Sequence, residues 1–369
     1  MNFGVINESQ KIEHRAGLSP SGVSFLVDQG HTVYIQAGAG LKAGYTNEDY
    51  ADLGAHVVFT KDEVFGRSDV VINISPLNEE ESKLVKPEQI LIGFHHLAVA
   101  RKAIVEEFLQ KKVTIIGLEI IQDNEGRLPF LESLGEVAGQ LCSNIAGYYL
   151  QSSHGGRGTI IGGTVSVPPA TAVIIGTSIL ARSALRALYD AGAQTIVLGL
   201  FMDRMKQLED MTSGRVVSMM GSKYNIGRMT RVADILVGAV LRPGERAPIM
   251  VTRDMVKTMK PGSVIIDLAI DQGGCIETSR PTTLEQPVYM EEGVIHYCVP
   301  NLTAAVSRTS TKVISNHLIR YLNLLGEAGL EGALKQIEPL CRGVYAHKGK
   351  IVRRNLAERF QLPCSELKL

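Results

Sequence analysis

The chain has 369 residues, with 38 Lys+Arg balancing 38 Asp+Glu, and it is 45% hydrophobic and 21% charged. That length predicts about two domains with a sizeable core, and the zero net charge gives no sign of a nucleic-acid or anionic-membrane partner. No apolar stretch approaches the ~20 residues of a membrane span. The start MNFGVINESQK has no basic-then-apolar leader, and the scattered cysteines (Cys142, Cys275, Cys298, Cys341, Cys364) show no C-x-x-C spacing, so a reducing cytoplasm is expected and a zinc cage is not.

Short apolar runs alternate with segments of helix length. Phe3–Ile6, Val33–Gln36, Val70–Ile74, Ile90–Phe94 and Val113–Ile116 are predicted strands, with helices at Ser19–Gln29, Asn47–Leu53, Glu79–Lys83 and Ala100–Lys111. Pro129–Gln151 reads as one long helix after the turn-like DNEGRLP. A second series of strands follows at Val173–Ile175, Thr195–Leu198, Val216–Met219, Ile235–Val237 and Ser263–Asp267, and Asn301–Leu325 reads as helix. Two blocks of strand–helix alternation predict an α/β protein with two doubly wound parallel sheets.

Two glycine-containing turns compete as phosphate cradles. AGAGLKAG (37–44) follows a strand, but no apolar-periodic helix opens at its second glycine. AVIIGTSILARSAL (172–185) has the better context, a buried strand, a turn and an apolar-periodic helix. Its three fingerprint positions are Gly176, Ser178 and Ala181, where G-x-G-x-x-G serves the tight turn, the approach of pyrophosphate and close helix–strand packing. An acid for the ribose belongs about 20 residues further on, where TIVLGLFMDRM places Gly199; Asp203 falls one helix turn later. The same pattern also suits a strand–turn–helix that binds nothing.

Other candidates lie at predicted strand and helix ends. Arg15, just before a helix start, is placed to clamp a carboxylate or to be an ordinary surface arginine. His95 and His96 end a strand; neighbours on an extended chain face opposite ways, so one of them at most serves a given cleft as acid or base. Asp271, followed by Gly273 and Gly274, lies beyond a buried strand, where α/β sheets bind ligands, though a turn cap would use the same residue.

Taken together, NESQKIEHRAGLSP, GEVAGQL, GGRG, LVGAVLRPG, DLAIDQGGCIETSRPTT and YCVPNLTAAVSRTST resemble the alanine dehydrogenase family over the whole chain. The relatives of that family are the first domain of proton-translocating transhydrogenase and the saccharopine and lysine-ketoglutarate enzymes. The resemblance implies two Rossmann-like domains, a substrate domain from 1–129 and 308–369 and a nucleotide domain, 130–307, inserted into it. It also implies a homo-oligomer, a hexamer in many members, and reversible oxidative deamination of L-alanine to pyruvate and ammonia with NAD. By motif, Arg15 would anchor the substrate carboxylate, His96 would be the acid/base, Asp271 would act on the water or imino intermediate, and Asn301 would line the cleft.

Several positions depart from the family pattern. The lysine of its K-x-K-E-P-like stretch is Ser75 in NISPLNEE, which removes a cation from the substrate carbonyl. The serine of its M-S-E-V-A-G motif is Gly135, and the methionine is Leu134. Ser178 and Gly199 replace the second glycine and the ribose acid. Loss of the acid lifts its repulsion of a 2′-phosphate, and Arg204, Lys206 and Ser178 are then candidates to contact NADP; Ser222 and Val240 join the expected cofactor-lining set. Three readings follow: a dehydrogenase using NAD or NADP on alanine or a related small amino acid; a divergent enzyme on another amino or oxo acid without normal redox chemistry; or a non-catalytic partner subunit for an active paralogue.

Overall fold

The computed structural model describes residues 1–9, 13–240 and 246–367; the QKI and LRPGE stretches lie outside them. The strands among the described residues are β1 (Asn2–Val5), β2 (Thr32–Gln36), β3 (His56–Val58), β4 (Val70–Asn73), β5 (Ile90–Gly93), β6 (Thr114–Gly117), β7 (Thr171–Ile175), β8 (Gln194–Gly199), β9 (Val217–Met220), β10 (Ile235–Gly238), β11 (Val264–Asp267), β12 (Val288–Glu291), β13 (Val294–Tyr297), β14 (Val344–His347) and β15 (Lys350–Ile351). The chain divides into two compact units, Met1–Leu134 with Ala304–Leu369, and Gly135–Thr303.

In the first unit eight strands run in the order β15-β14-β6-β5-β4-β1-β2-β3. Strands β1 to β6 pair in parallel, whereas β14 joins β6 antiparallel and β15 continues that edge antiparallel. The sheet is parallel-dominant, as the doubly wound expectation has it, with an antiparallel edge: the short β14–β15 hairpin needs no crossover helix, and its near-adjacent strands gave no alternation to read. Burial on both faces explains the continuous apolar runs. Ile72, Ile74, Ile90, Ile92 and Phe94 pack with Leu18, Leu26 and Leu318, while Val71, Leu91 and Ile115 pack with Val64, Val105 and Phe108.

Local signals set the helix starts. Ser19 caps Pro20–Asp28, whose proline stands in the first turn, and capping boxes open Asn47–Ala51 (Thr46, Asp49), Lys61–Arg67 (Thr60, Glu63) and Glu79–Leu84 (Asn78, Glu81). Helix Pro129–Tyr149 matches the long helix expected there. The helix expected from Asn301 instead begins at Ser307, after a 3₁₀ turn over Leu302–Val306, and runs to Gln336 with a break at Gly329 (φ 68°).

The second unit has seven strands in the order β12-β13-β11-β10-β7-β8-β9. All pairs are parallel except β12–β13, an edge hairpin. Helix Ile179–Asp190 follows β7 directly, with Ser178 as its N-cap. All five cysteines are free thiols, and among the described residues no helix is long and apolar enough to cross a membrane.

Candidate active site

The first unit gathers its polar residues at the carboxyl ends of its central parallel strands. Arg15 is 4% exposed and is gripped by Glu13, whose two carboxylate oxygens accept from Nε (2.7 Å) and Nη2 (2.6 Å). This buried fork fixes the guanidinium plane. The guanidinium carbon lies 5.9 Å from the centroid of the Phe94 ring, and the His96 imidazole stacks on the same ring at 6.3 Å and 22°. Arg15 and His96 thus share one aromatic neighbour, Phe94, which sequence reading had treated only as a strand end.

The two adjacent histidines do separate. His95 is 2% exposed and lines a cavity of about 560 Å³ with Leu77, Leu97, Ile104 and Phe108. Burial pushes its imidazole down to about 4, against the pull of the Glu119 carboxylate. His96 sits in the left-handed region (φ 44°, ψ 42°). Its peptide N–H donates to Glu119 Oε1 at 2.7 Å, and the Tyr345 hydroxyl donates to the same oxygen at 2.9 Å.

Ser75 stands just beyond β4, 2% exposed, and its hydroxyl has no hydrogen-bond partner among the described residues. Its N–H and that of Ile74 donate to the carboxyl of Glu8, at 3.0 and 2.5 Å. Glu8 is half-buried, and desolvation raises it to about 8 despite those two donors. Ser75 Oγ and, two residues earlier, Asn73 Oδ1 are both buried without a hydrogen-bond partner among the described residues. Glu8, Glu13 and Glu119 were missed by sequence reading, because a buried carboxylate held by backbone N–H groups carries no spacing signature.

In the second unit Asp271 and Asn301 come together. Asp271 lies exposed on a 3₁₀ turn, Ile270–Gln272, and accepts the Asn301 N–H at 2.8 Å, with Asn301 in the left-handed region (φ 51°). The carboxylate at the strand end itself is Asp267. It is buried, and it accepts from the N–H groups of Ala269 (3.0 Å), Cys275 (3.0 Å) and Ile276 (3.3 Å). Burial raises its titration in spite of those donors. Gly273 and Gly274, both at positive φ, let the loop close around it.

The turn after β7 keeps the geometry of a nucleotide-binding loop and changes its contents. Gly176 has φ 117°, and a side chain there would strike the Ala239 carbonyl at 2.5 Å. Ser178 Oγ donates to that same carbonyl at 2.7 Å and caps the following helix through the Ala181 N–H. Ala181 is fully buried, as close helix–strand packing requires. Gly199 ends β8, and a Cβ there would lie 2.3 Å from the Thr177 methyl and 3.1 Å from Met205 Cγ. A side chain on Gly135 would come within 3.2 Å of Ile179 in that helix. Arg204 lies over Phe201 at 5.1 Å, Lys206 pairs with Asp210 at 2.9 Å, Ser222 caps Lys223–Val232, and Val240 is half-buried beyond β10. Leu200, Phe201 and Met202 are all more than half exposed beside Gly199.

The helix N-terminus after Gly176 therefore fits a pyrophosphate, while the ribose end offers no carboxylate at position 199 and has Thr177 in the space such a group would need. Two mostly parallel α/β units with these features define a two-domain dehydrogenase architecture. The chain matches the family models described as alanine dehydrogenase/PNT, N-terminal domain (residues 4–138) and C-terminal domain (residues 142–354). It is 37% identical to a protein named alanine dehydrogenase from Methanococcus maripaludis, covering 98% of this chain and 97% of that one. It is 36% identical to another from Mycobacterium tuberculosis, covering 99% and 98%. A solved L-alanine dehydrogenase superposes with TM-score 0.91 at 35% identity over 98% of this chain and 99% of that one. A transhydrogenase from Sinorhizobium meliloti, 21% identical with TM-score 0.81 and covering 96% and 99%, shares the fold. The chain belongs to the alanine dehydrogenase family and is an oxidoreductase of amino-acid metabolism.

Proposed function

We propose that the protein carries out reversible oxidative deamination of L-alanine, or a related small amino acid, to the 2-oxo acid and ammonium. The observation that carries this reading is the buried Arg15 and the His96 imidazole set against one Phe94 ring. Arg15, its plane fixed by Glu13, holds the substrate carboxylate. His96 takes a proton as water adds to the imino carbon in deamination and returns it in the reverse direction. The first unit is the substrate domain and the second is the nucleotide domain, which carries Asp271 paired with Asn301. A nicotinamide nucleotide, when bound, supplies the hydride acceptor or donor. Gly176, Ala181 and the helix N-terminus capped by Ser178 would hold its pyrophosphate, with Ser222, Val240 and Arg204 around the adenosine.

Position 199 selects the cofactor. Without a carboxylate there, discrimination against a 2′-phosphate is lost, so NADP binds at least as well as NAD. Calorimetric titration with both nucleotides, followed by pyruvate amination in ammonium, tests this. Binding and turnover support the reading; no binding of either nucleotide overturns it. One observation favours a second reading, a divergent enzyme that works on an amino or oxo acid without normal redox chemistry: the unpaired Ser75 hydroxyl where a carbonyl-polarising cation is expected. Pyruvate binding without nucleotide binding would support that alternative.

A further inference from the structure

We infer that Glu119 is a positioning residue for His96, acting with Tyr345 as a lock on the histidine backbone. The inference rests on the reading of His96 as the acid/base. A side-chain-bearing residue is disfavoured at φ 44°, so something must hold it there. The His96 ring makes no hydrogen bond among the described residues and has only its stack on Phe94. Its direction is therefore set by its own backbone. That backbone is tied at one point on its N-terminal side, the 2.7 Å bond from the His96 N–H to Glu119 Oε1.

Three segments meet at that oxygen. β5 and β6 run in register through Gly93 and Gly117, and His95 and Glu119 each stand two residues beyond that pair. Tyr345 comes from β14, which pairs with β6, and its hydroxyl completes the same oxygen at 2.9 Å. The Tyr345 ring lies over Gly117, where a Cβ would be 2.3 Å from it, so the glycine is what lets the phenol reach. Glu119 and Tyr345 are each 5% exposed, which excludes water as a ready substitute acceptor. A carboxylate acceptor gives the stronger, charge-assisted form of the bond. Without it the peptide at His96 is released from the left-handed region, and the imidazole swings off Phe94.

The test is a double-mutant cycle on pyruvate amination with Glu119→Ala, His96→Ala and both together, plus Glu119→Gln and Tyr345→Phe. Glu119→Ala is expected to lower kcat by about 10- to 100-fold, the scale of a misplaced catalytic group, with KM for pyruvate within about threefold of wild type. Glu119→Gln, whose amide oxygen still accepts the N–H, is expected to recover most of that loss. In the His96→Ala background Glu119→Ala is expected to cost nothing further. Equal costs in both backgrounds would show a merely structural carboxylate and overturn the inference alone. Wild-type turnover by His96→Ala would remove the functional reading beneath it. If Glu119→Ala does not fold, Tyr345→Phe carries the same cycle, since it keeps the ring over Gly117 and loses only the hydroxyl. Additivity there overturns the lock equally.

Discussion

Gly199 and Thr177 form a pair that a single substitution should expose. An aspartate at 199 restores the carboxylate that reads a ribose hydroxyl, but its Cβ would sit 2.3 Å from Thr177 Cγ2 and 3.1 Å from Met205 Cγ. Threonine is stiff about χ1, so it does not yield freely. Overpacking of this kind costs about 1–3 kcal/mol, which for a domain of this size lowers Tm by about 3–10 °C. Thr177→Ala removes the obstructing methyl, so the double variant Thr177→Ala/Gly199→Asp is expected to melt close to the Thr177→Ala parent. In that background the new carboxylate gains a charge-assisted bond to the ribose, about 1.5–3 kcal/mol, or about 10- to 150-fold in NAD affinity. NADP affinity should move the other way. Differential scanning calorimetry and nucleotide titration read both effects. The reasoning is refuted if Gly199→Asp alone melts like wild type, or if the double variant is stable and gains no preference for NAD.

Ser75→Lys should raise kcat/KM for pyruvate by about 10- to 1000-fold, because it returns a cation to the carbonyl; unchanged turnover in a folded variant would show that the position no longer faces substrate. Glu8 sets a pH dependence. Its folded carboxyl titrates near 8 and its unfolded one near 4.5, so between those values the folded chain holds the extra proton and stability falls as pH rises. Urea melts of wild type and Glu8→Gln should therefore diverge in favour of the variant by about 1.4 kcal/mol per pH unit across that window and run parallel outside it. His95 works in the opposite sense. Folded His95 stays neutral down to about 4 whereas the unfolded side chain protonates near 6.5, so wild type should lose stability against His95→Leu as pH falls through that interval. Parallel curves for that pair would mean that His95 meets solvent.

Most of the scaffold was legible because buried parallel strands are continuous apolar runs, and β1, β4, β5, β7 and β10 begin and end within two residues of their sequence-based limits. The edge hairpins β12–β13 and β14–β15 were not, since short antiparallel pairs around Gly293 and Gly349 carry weak periodicity. His95 and His96 have different surroundings, but strand alternation is not the cause: β5 ends at Gly93 and His96 takes a left-handed conformation. The partners of the site residues were out of reach. Nothing in KIEHR marks Glu13 as the grip on Arg15, and Glu119 meets His96 only because β5 and β6 are neighbours. Thr177 is the instructive case: it is an arbitrary position within G-x-G-x-x-G, and its meaning appears only when its methyl is found against Gly199.

The loop around Asp267 separates lineage from turnover. That buried carboxylate gathers three backbone N–H groups, and two glycines at positive φ close the circuit. The demand on Asp267 and the two glycines is thus internal to the loop and holds whether or not any substrate arrives. Thr177 and Gly199 answer only to each other, through the methyl that fills the space of a side chain at 199, and the Ser75 hydroxyl answers to no partner among the described residues. The segment that best advertises ancestry is accordingly a badge of folding. The record of what this chain now does is written in the few side chains that the fold leaves free to drift.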